Sequence, residues 1–359
     1  MKQDLNIGVV GATGAVGKEL LSILVQRKFP YKSLKLFASA RSQGKEVQVA
    51  GKTYRCEVLQ KGCFDGLDMV FFDASDAISK EWVTQAAEAG AWVVDNSATY
   101  RMDADTLLLV PEVNGHLLEK RIQAAGGSKA KLSARERILT GPNCSTVQLV
   151  VALKPIHDRF VLKRVVVSSY QSTSGAGAAA MEELSTQTQS FLNKKPVASQ
   201  HFTHQIAFNC IPHIGGFKDD GYTSEEHKIM AESRKILGLP SLRITATAVR
   251  VPTWSCHGET VQIECEKSLT AAQAREALSK QPGLIIQDEP KRNIYPMGFT
   301  GQEDLVECGT GRDAVYVGRI REDHSVDNGL NLWVVSDNLR KGAALNAIQI
   351  GELLVRLSH

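Results

Sequence analysis

The run Gly141-Pro142-Asn143-Cys144-Ser145-Thr146 gathers groups able to carry nucleophilic chemistry. It follows an apolar stretch ending at Leu139. It precedes a helical pattern beginning near Thr146, marked by Val147, Leu149, Val150, Val151 and Leu153. A thiol at a helix mouth meets unpaired backbone N–H groups and the positive end of the helix dipole. Both favour the thiolate, the nucleophilic form. Pro142 restrains the turn, and Asn143 brings an amide able to donate to a developing oxyanion. A solitary Cys is more often a small apolar core residue, so the reading needs support from the rest of the chain.

Support comes from residues 245–259. Arg250 stands in a strand pattern of small and apolar residues, where it requires an anionic partner. His257 follows Pro252 in an expected turn beside Gly258, and Cys256 lacks the helix mouth that Cys144 has. A lone His is more often structural, but an Arg, a His and a strand-end Cys together favour a catalytic set. A β-branched strand from Val161 to Tyr170 runs into Gln171-Ser172-Thr173-Ser174-Gly175-Ala176-Gly177, a small-residue turn that lets a ligand approach backbone. A helix is expected from Ala178 to Leu192 and another from about Glu225 to Leu237, with Thr223 and Glu226 as a capping box. On the latter, Glu225 and Lys228 share one face at i,i+3, the usual setting of a surface ion pair.

These residues need a scaffold. Strand Leu5 to Val10, the turn Gly11-Ala12-Thr13-Gly14-Ala15-Val16-Gly17 and a helical pattern from Lys18 to Val25 make a dinucleotide-binding start. Gly11 permits the tight turn, Gly14 the approach of a diphosphate, and Gly17 close packing of helix on strand. The diphosphate would meet the N–H groups of the helix start. The spacing is GxxGxxG rather than GxGxxG, which weakens the fingerprint. The second strand, Leu34 to Ala38, ends in Ser39-Ala40-Arg41-Ser42-Gln43-Gly44-Lys45. It carries cations and hydroxyls where an NAD site wants an acid, so NADP is expected. Met69 to Phe72, Lys80 to Ala89 and Ala91 to Val94 continue the strand–helix alternation of a parallel sheet. Arg101 follows in a loop leaving a strand's carboxyl end, where ligands bind in such sheets. Residues 126–137 read as a basic surface insertion without a function. Further strands near Val261 to Cys265 and Leu330 to Ser336 belong to a second sheet, and Asp337 to Ala344 leads into a long apolar-striped helix ending at Leu357.

The chain has 359 residues, 43% of them hydrophobic, with 42 basic against 39 acidic side chains and a net charge of +3. Two domains are expected at this length. The charge balance makes no case for nucleic acid or a membrane surface. The 7 cysteines are scattered, Cys308 among them, with no CxxC pair. Neither a disulfide framework nor a metal site is expected, and the setting is read as reducing and cytoplasmic. No signal peptide is expected from Met1 onward, nor an apolar run near the ~20 residues of a membrane span.

Taken together, Gly11 to Gly17, Ser39 to Ser42, Asp95-Asn96-Ser97, Pro142 to Thr146, Gln171 to Gly175, Arg250-Val251-Pro252, His257 and Asp337 to Ala344 closely resemble the aspartate-β-semialdehyde dehydrogenase family over nearly the whole chain. The resemblance implies an α/β fold: an N-terminal Rossmann parallel sheet at 1–143, then at 144–337 an α+β mixed-sheet catalytic and dimerisation domain like that of glyceraldehyde-3-phosphate dehydrogenase. A C-terminal helix, 338–359, would pack back on the first domain. A homodimer, or a tetramer of dimers, is implied. So is the reversible NADP-dependent conversion of L-aspartyl-4-phosphate to L-aspartate-4-semialdehyde, toward lysine (through diaminopimelate), threonine and methionine.

The same resemblance implies Cys144 as nucleophile, His257 as the group that takes the thiol proton and serves as acid and base, and Gln171 as orienting residue. Arg250 would hold the substrate α-carboxylate and Glu225 its ammonium. Arg101, Lys228 and Asn143 would hold phosphate. Gly11, Thr13, Gly14, Ala15, Val16, Ser39, Arg41, Ser42, Ser174, Gly175 and Asn338 would line the cofactor. One departure stands out: Asp73 to Ala77 replaces a glycine-rich loop, which would put Asp76 near the diphosphate. Two other readings stay open: an N-acetylglutamyl-phosphate reductase-like enzyme, whose substrate offers Glu225 no ammonium, and a non-catalytic nucleotide-binding paralogue.

Overall fold

The computed structural model describes residues 5–299 and 309–357; Cys308 and the end of the expected 338–359 helix lie outside them. The chain forms two units, residues 1–143 with 343–359, and residues 144–342.

The first unit contains β1 (Asn6–Val10), α1 (Ala15–Gln26), β2 (Ser33–Phe37), β3 (Glu46–Val49), β4 (Lys52–Glu57), β5 (Met69–Phe72), α2 (Asp76–Glu88), β6 (Trp92–Asp95), β7 (Leu107–Leu108), α3 (Pro111–Asn114), α4 (His116–Ala124) and β8 (Ile138–Thr140). Its sheet runs β3-β4-β2-β1-β5-β6-β8-β7. All pairs are parallel except the edge hairpin β3–β4. The central strands read as continuous apolar runs because both faces are covered. The hairpin alternates polar and apolar residues and turns at Ala50 and Gly51, both at positive φ (50° and 76°), as a two-residue turn requires. Strand order reverses at β1, whose neighbours are β2 and β5, so the ligand crevice opens at the carboxyl ends of β1 and β5.

The second unit contains α5 (Cys144–Phe160), β9 (Leu162–Gln171), α6 (Ala178–Leu192), α7 (Ser224–Leu237), β10 (Arg243–Arg250), β11 (His257–Cys265), α8 (Ala271–Leu278), β12 (Leu284–Ile286), β13 (Val315–Asp323) and β14 (Gly329–Ser336). The sheet order is β10-β9-β11-β14-β13-β12. It is mixed: β9–β10 and β12–β13 are parallel, and the other pairs antiparallel. Helices α5, α7 and α8 pack on it. The capping box at α7 forms as expected: Thr223 Oγ1 accepts from Glu226 N (3.3 Å), and Glu226 Oε2 accepts from Thr223 N (2.7 Å).

The chain then re-enters the first unit through α9 (Leu345–Leu357), which packs on α1, α3, α4 and β6. The long helix expected from Asn338 is therefore shorter. Residues Arg340–Ala344 form a π-helical turn instead, because Asp337 Oδ1 accepts from the N–H groups of Leu339 and Arg340 and holds that segment outside the α-helix.

Candidate active site

Strand register assembles the site of the second unit. β9 ends on Gln171. Its parallel partner sets Arg250 opposite Gln171, its antiparallel partner sets His257 opposite Gln171, and β14 sets Ser336 opposite His257. Four residues from three distant stretches of the sequence thus form one cross-strand row. His257 is the first residue of a strand, not part of the expected turn, because the ladder to β9 and β14 captures it.

Cys144 also differs from expectation. Helix α5 begins on Cys144 itself rather than near Thr146, so the thiol stands in the first turn, where N–H groups lack intrahelical acceptors. Gly342 passes so close that a Cβ on it would lie 2.9 Å from Cys144 Cβ.

Cys144 Sγ lies 3.2 Å from His257 Nε2. The ring is 0% exposed. Its other nitrogen, Nδ1, accepts from Ser172 N–H at 3.1 Å, with Ser172 Oγ 3.3 Å away. A ring nitrogen that accepts carries no proton, so the neutral imidazole holds its proton on Nε2, facing the sulfur. Burial pushes His257 down to about 3; the Arg250 charge adds to this, and the Cys256 backbone opposes it. The imidazole is therefore neutral across the physiological range. In this tautomer the ring is arranged to donate to sulfur.

Around this pair, Arg250 is buried and donates from Nη1 to Ser172 O at 2.6 Å. Burial lowers its guanidinium from the usual value, while Cys144 and Glu225 pull it back up. Gln171 Nε2 donates to Glu225 Oε1 and to Ser169 Oγ, both at 3.2 Å. Lys228 Nζ lies 3.6 Å from Glu225 Oε2. That pair is not a plain surface contact, because Glu225 is buried. Gly175 closes the group: a Cβ there would sit 3.0 Å from Arg250 Nη1 and 3.2 Å from His257 Nε2. The hydroxyls of Ser172 and Ser174 donate to Asn338 Oδ1 at 3.2 and 3.1 Å. The structure thus brings Cys144, His257, Gln171, Arg250, Glu225, Lys228, Ser174, Gly175 and Asn338 together in one unit.

The remaining candidates, Asn143, Arg101 and the glycine turn, belong to the first unit. The turn fits a dinucleotide diphosphate. Gly11 has φ +87°, and a Cβ on Gly11 or Gly17 would overlap Asp73 O or Gly11 O. Gly14 is exposed, and α1 begins at Ala15 with no acid in its first turn. Thr13, Ala15 and Val16 are half-buried around it, and Ser39 and Arg41 are exposed after β2, with Ser42 half-buried. Arg101 is buried and donates to Asn96 O at 2.6 Å, so it is not a solvated loop residue. Asn143 is buried as well.

Asp73 as well as Asp76 bears on the glycine turn. Asp76 opens α2, and its Oδ1 accepts from Ala98 N at 2.8 Å. Asp73 follows β5, abuts Gly11 through its carbonyl and accepts from Asn96 Nδ2 at 2.5 Å.

Sequence reasoning missed Ser172 as the group that sets the His257 tautomer, because a backbone donor has no side-chain signature. It also missed Gln148 and Glu259, although the i,i+4 spacing from Cys144 and the i,i+2 spacing from His257 mark the same faces.

Residues 6–121 match the family model described as semialdehyde dehydrogenase, NAD binding domain, and residues 153–341 match that described as semialdehyde dehydrogenase, dimerisation domain. The aspartate-semialdehyde dehydrogenase of Aquifex aeolicus is 46% identical over 352 residues, covering 98% of each protein. Aspartate-semialdehyde dehydrogenase 2 of Vibrio cholerae is 42% identical over 358 residues, covering 99% of each. A crystal structure of aspartate semialdehyde dehydrogenase II from Vibrio cholerae, complexed with ASA, has a TM-score of 0.90 to this chain at 41% identity, with 99% of each chain covered. With a nicotinamide-nucleotide-binding sheet in one unit and a Cys–His–Arg–Gln cluster in the other, the chain belongs to the aspartate-semialdehyde dehydrogenase family.

Proposed function

We propose that this protein catalyses the reversible, NADP-dependent reductive dephosphorylation of L-aspartyl-4-phosphate to L-aspartate-4-semialdehyde through a thioester on Cys144. The observation that carries the reading is the 3.2 Å contact between Cys144 Sγ and His257 Nε2. A neutral N–H donor and the nearby Arg250 charge both favour thiolate.

The thiolate attacks the acyl phosphate carbon, and the oxyanion that develops takes a hydrogen bond from Nε2–H. Phosphate leaves with the bonding pair, its charge offset by the cations that bind it, and takes up a proton as it departs. A bound nicotinamide supplies the hydride that reduces the thioester. His257 Nε2–H holds the resulting alkoxide until the C–S bond breaks, the aldehyde forms and Cys144 leaves as thiolate. The one proton consumed goes to the released phosphate. No step requires the imidazolium, which suits a ring that burial holds neutral.

Arg250 grips the α-carboxylate with its planar fork. Glu225, buried beside Gln171, pairs with the substrate ammonium. Gln171 orients the intermediate, and Lys228, Arg101 and Asn143 bind the phosphoryl group. Gly11, Thr13, Gly14, Ala15 and Val16 hold the cofactor diphosphate. Ser39, Arg41 and Ser42 hold its 2′-phosphate, and Ser174, Gly175 and Asn338 its nicotinamide end. The enzyme works in the cytoplasm as a homodimer, or a tetramer of dimers, in lysine, threonine and methionine synthesis. The dimer reading is supported by the match of residues 153–341 to the model described as a dimerisation domain. Among the described residues no helix is long and apolar enough to cross a membrane.

The test is phosphate-dependent reduction of NADP by aspartate semialdehyde, with N-acetylglutamate semialdehyde as control. Turnover of the first and not the second is expected. Cys144→Ala should lose it while still binding NADPH. Turnover by Cys144→Ala, or preference for the acetylated substrate, would overturn the proposal.

A further inference from the structure

Beneath the Cys144–His257 contact lies a second buried pair that no step above uses. Glu259 follows His257 by two residues on β11 and so points to the same side of the sheet. Gln148 follows Cys144 by four residues on α5, about one turn deeper. Both are 0% exposed. Glu259 lies opposite Ser169 of β9 and Val334 of β14. Ser169 Oγ accepts from Gln171, and Ser336 Oγ donates to Gln148 Oε1 at 2.7 Å. The carboxyl therefore stands between two polar chains, one reaching the helix of Cys144 and the other reaching Gln171.

The groups that face it are Gln148 from α5, Ser169 from β9, Val334 from β14 and neutral His257 on its own strand. Arg250, Glu225 and Lys228, the charged groups of the site, stand on β10 and α7, beyond β9. Neither carboxyl oxygen, nor Gln148 Nε2, has a hydrogen bond of ordinary geometry. A carboxylate in that position would be a buried charge without compensation, and its field would oppose a thiolate on Cys144. Burial pushes Glu259 far above the usual carboxyl range, with the Gln148 amide opposing.

We propose that Glu259 is a positioning residue for the Cys144–His257 pair: a neutral acid that, with Gln148, ties the first turns of α5 to β11 and leaves the thiolate unopposed. Turning the Gln148 carboxamide over gives the acid proton an acceptor in Oε1 and sets Nε2 to donate to Ser336 Oγ. The inference rests on the reading of Cys144 as nucleophile.

The experiment follows alkylation at the Cys144 peptide by iodoacetamide against pH, beside kcat, KM and NADPH binding. Glu259→Leu should lower kcat about tenfold and raise the alkylation midpoint, with KM and NADPH binding held. Glu259→Gln, still a neutral hydrogen-bonding head, should restore kcat to within about threefold and hold the midpoint within about 0.3 pH unit. A merely structural role would lower the melting temperature of Glu259→Leu without moving its midpoint. Two results overturn the proposal: a Glu259→Gln midpoint lower by about one unit or more, which would mean that a charge had been removed, or a Glu259→Leu enzyme with parental kcat and midpoint. Should Glu259→Leu not fold, Gln148→Leu takes its place with the same expected and overturning results. An inactive parent enzyme would instead refute the catalytic reading itself.

Discussion

Replacing His257 by Ala removes the Nε2–H that stands 3.2 Å from Cys144 Sγ. If that proton is donated to a thiolate, the contact is charge-assisted, and such bonds contribute about 1.5–3 kcal/mol. Its loss disfavours the charged form of the sulfur, so the pH midpoint for alkylation of Cys144 should rise by about 1–2 units. Below both midpoints the alkylation rate should therefore fall about 10- to 100-fold. Arg250 remains in the variant, so the thiolate is weakened rather than abolished. The assay is iodoacetamide labelling of the Cys144 peptide against pH for parent and variant. The parent curve should also show a single transition, with no second step near the ordinary imidazole value, because burial and Arg250 push His257 down to about 3. A midpoint that stays put or falls in His257→Ala, or a parent curve with an imidazole step, would refute the assignment of the Nε2–H tautomer and of the neutral ring.

Other expectations follow from the same geometry. Arg250→Lys exchanges a planar fork for a point charge, so KM for the amino-acid substrate should rise about tenfold or more with a smaller change in kcat, by steady-state kinetics. Arg41→Ala should weaken NADPH binding about tenfold by fluorescence titration and leave NADH binding nearly unchanged. Burial pushes Asp73 up to about 7, with Asp95 adding to the rise and Asn96 opposing it. A carboxyl raised above its unfolded value contributes stability that is complete below about pH 4 and lost as pH rises through the folded value. Asp73→Asn cannot ionise, so its melting temperature relative to the parent should climb by several °C between about pH 5 and about pH 8.5; a constant difference would show that Asp73 does not titrate there.

Local chemistry is legible along the chain wherever neighbours in sequence are also neighbours in space. Gly11, Gly14 and Gly17 mark a strand–helix turn because only glycine tolerates the φ of +87° at Gly11 and the close backbone approach at Gly17. Thr223 and Glu226 mark the start of α7 because a capping box is complete within four residues. Cys144 is legible as a helix-mouth thiol for the same reason, although the helix starts on it rather than after it. The β3–β4 hairpin went unread, because a polar edge strand carries little apolar pattern.

What the sequence by itself determined is the set of reactive residue types and the local frames that display them: a thiol at a helix start, an Arg and a His near strand ends, and a glycine turn after the first strand. Only the tertiary structure decided how these residues meet. Register among β10, β9, β11 and β14 sets Arg250, Gln171, His257 and Ser336 in one row, and pairing across a sheet depends on partners scores of residues away. The His257 tautomer is decided by a backbone N–H of Ser172, and the isolation of Glu259 by the packing of α5 over the sheet. A hydrogen-bond donor on the main chain and a low dielectric around a carboxyl are properties of the folded surroundings, not of the residue type.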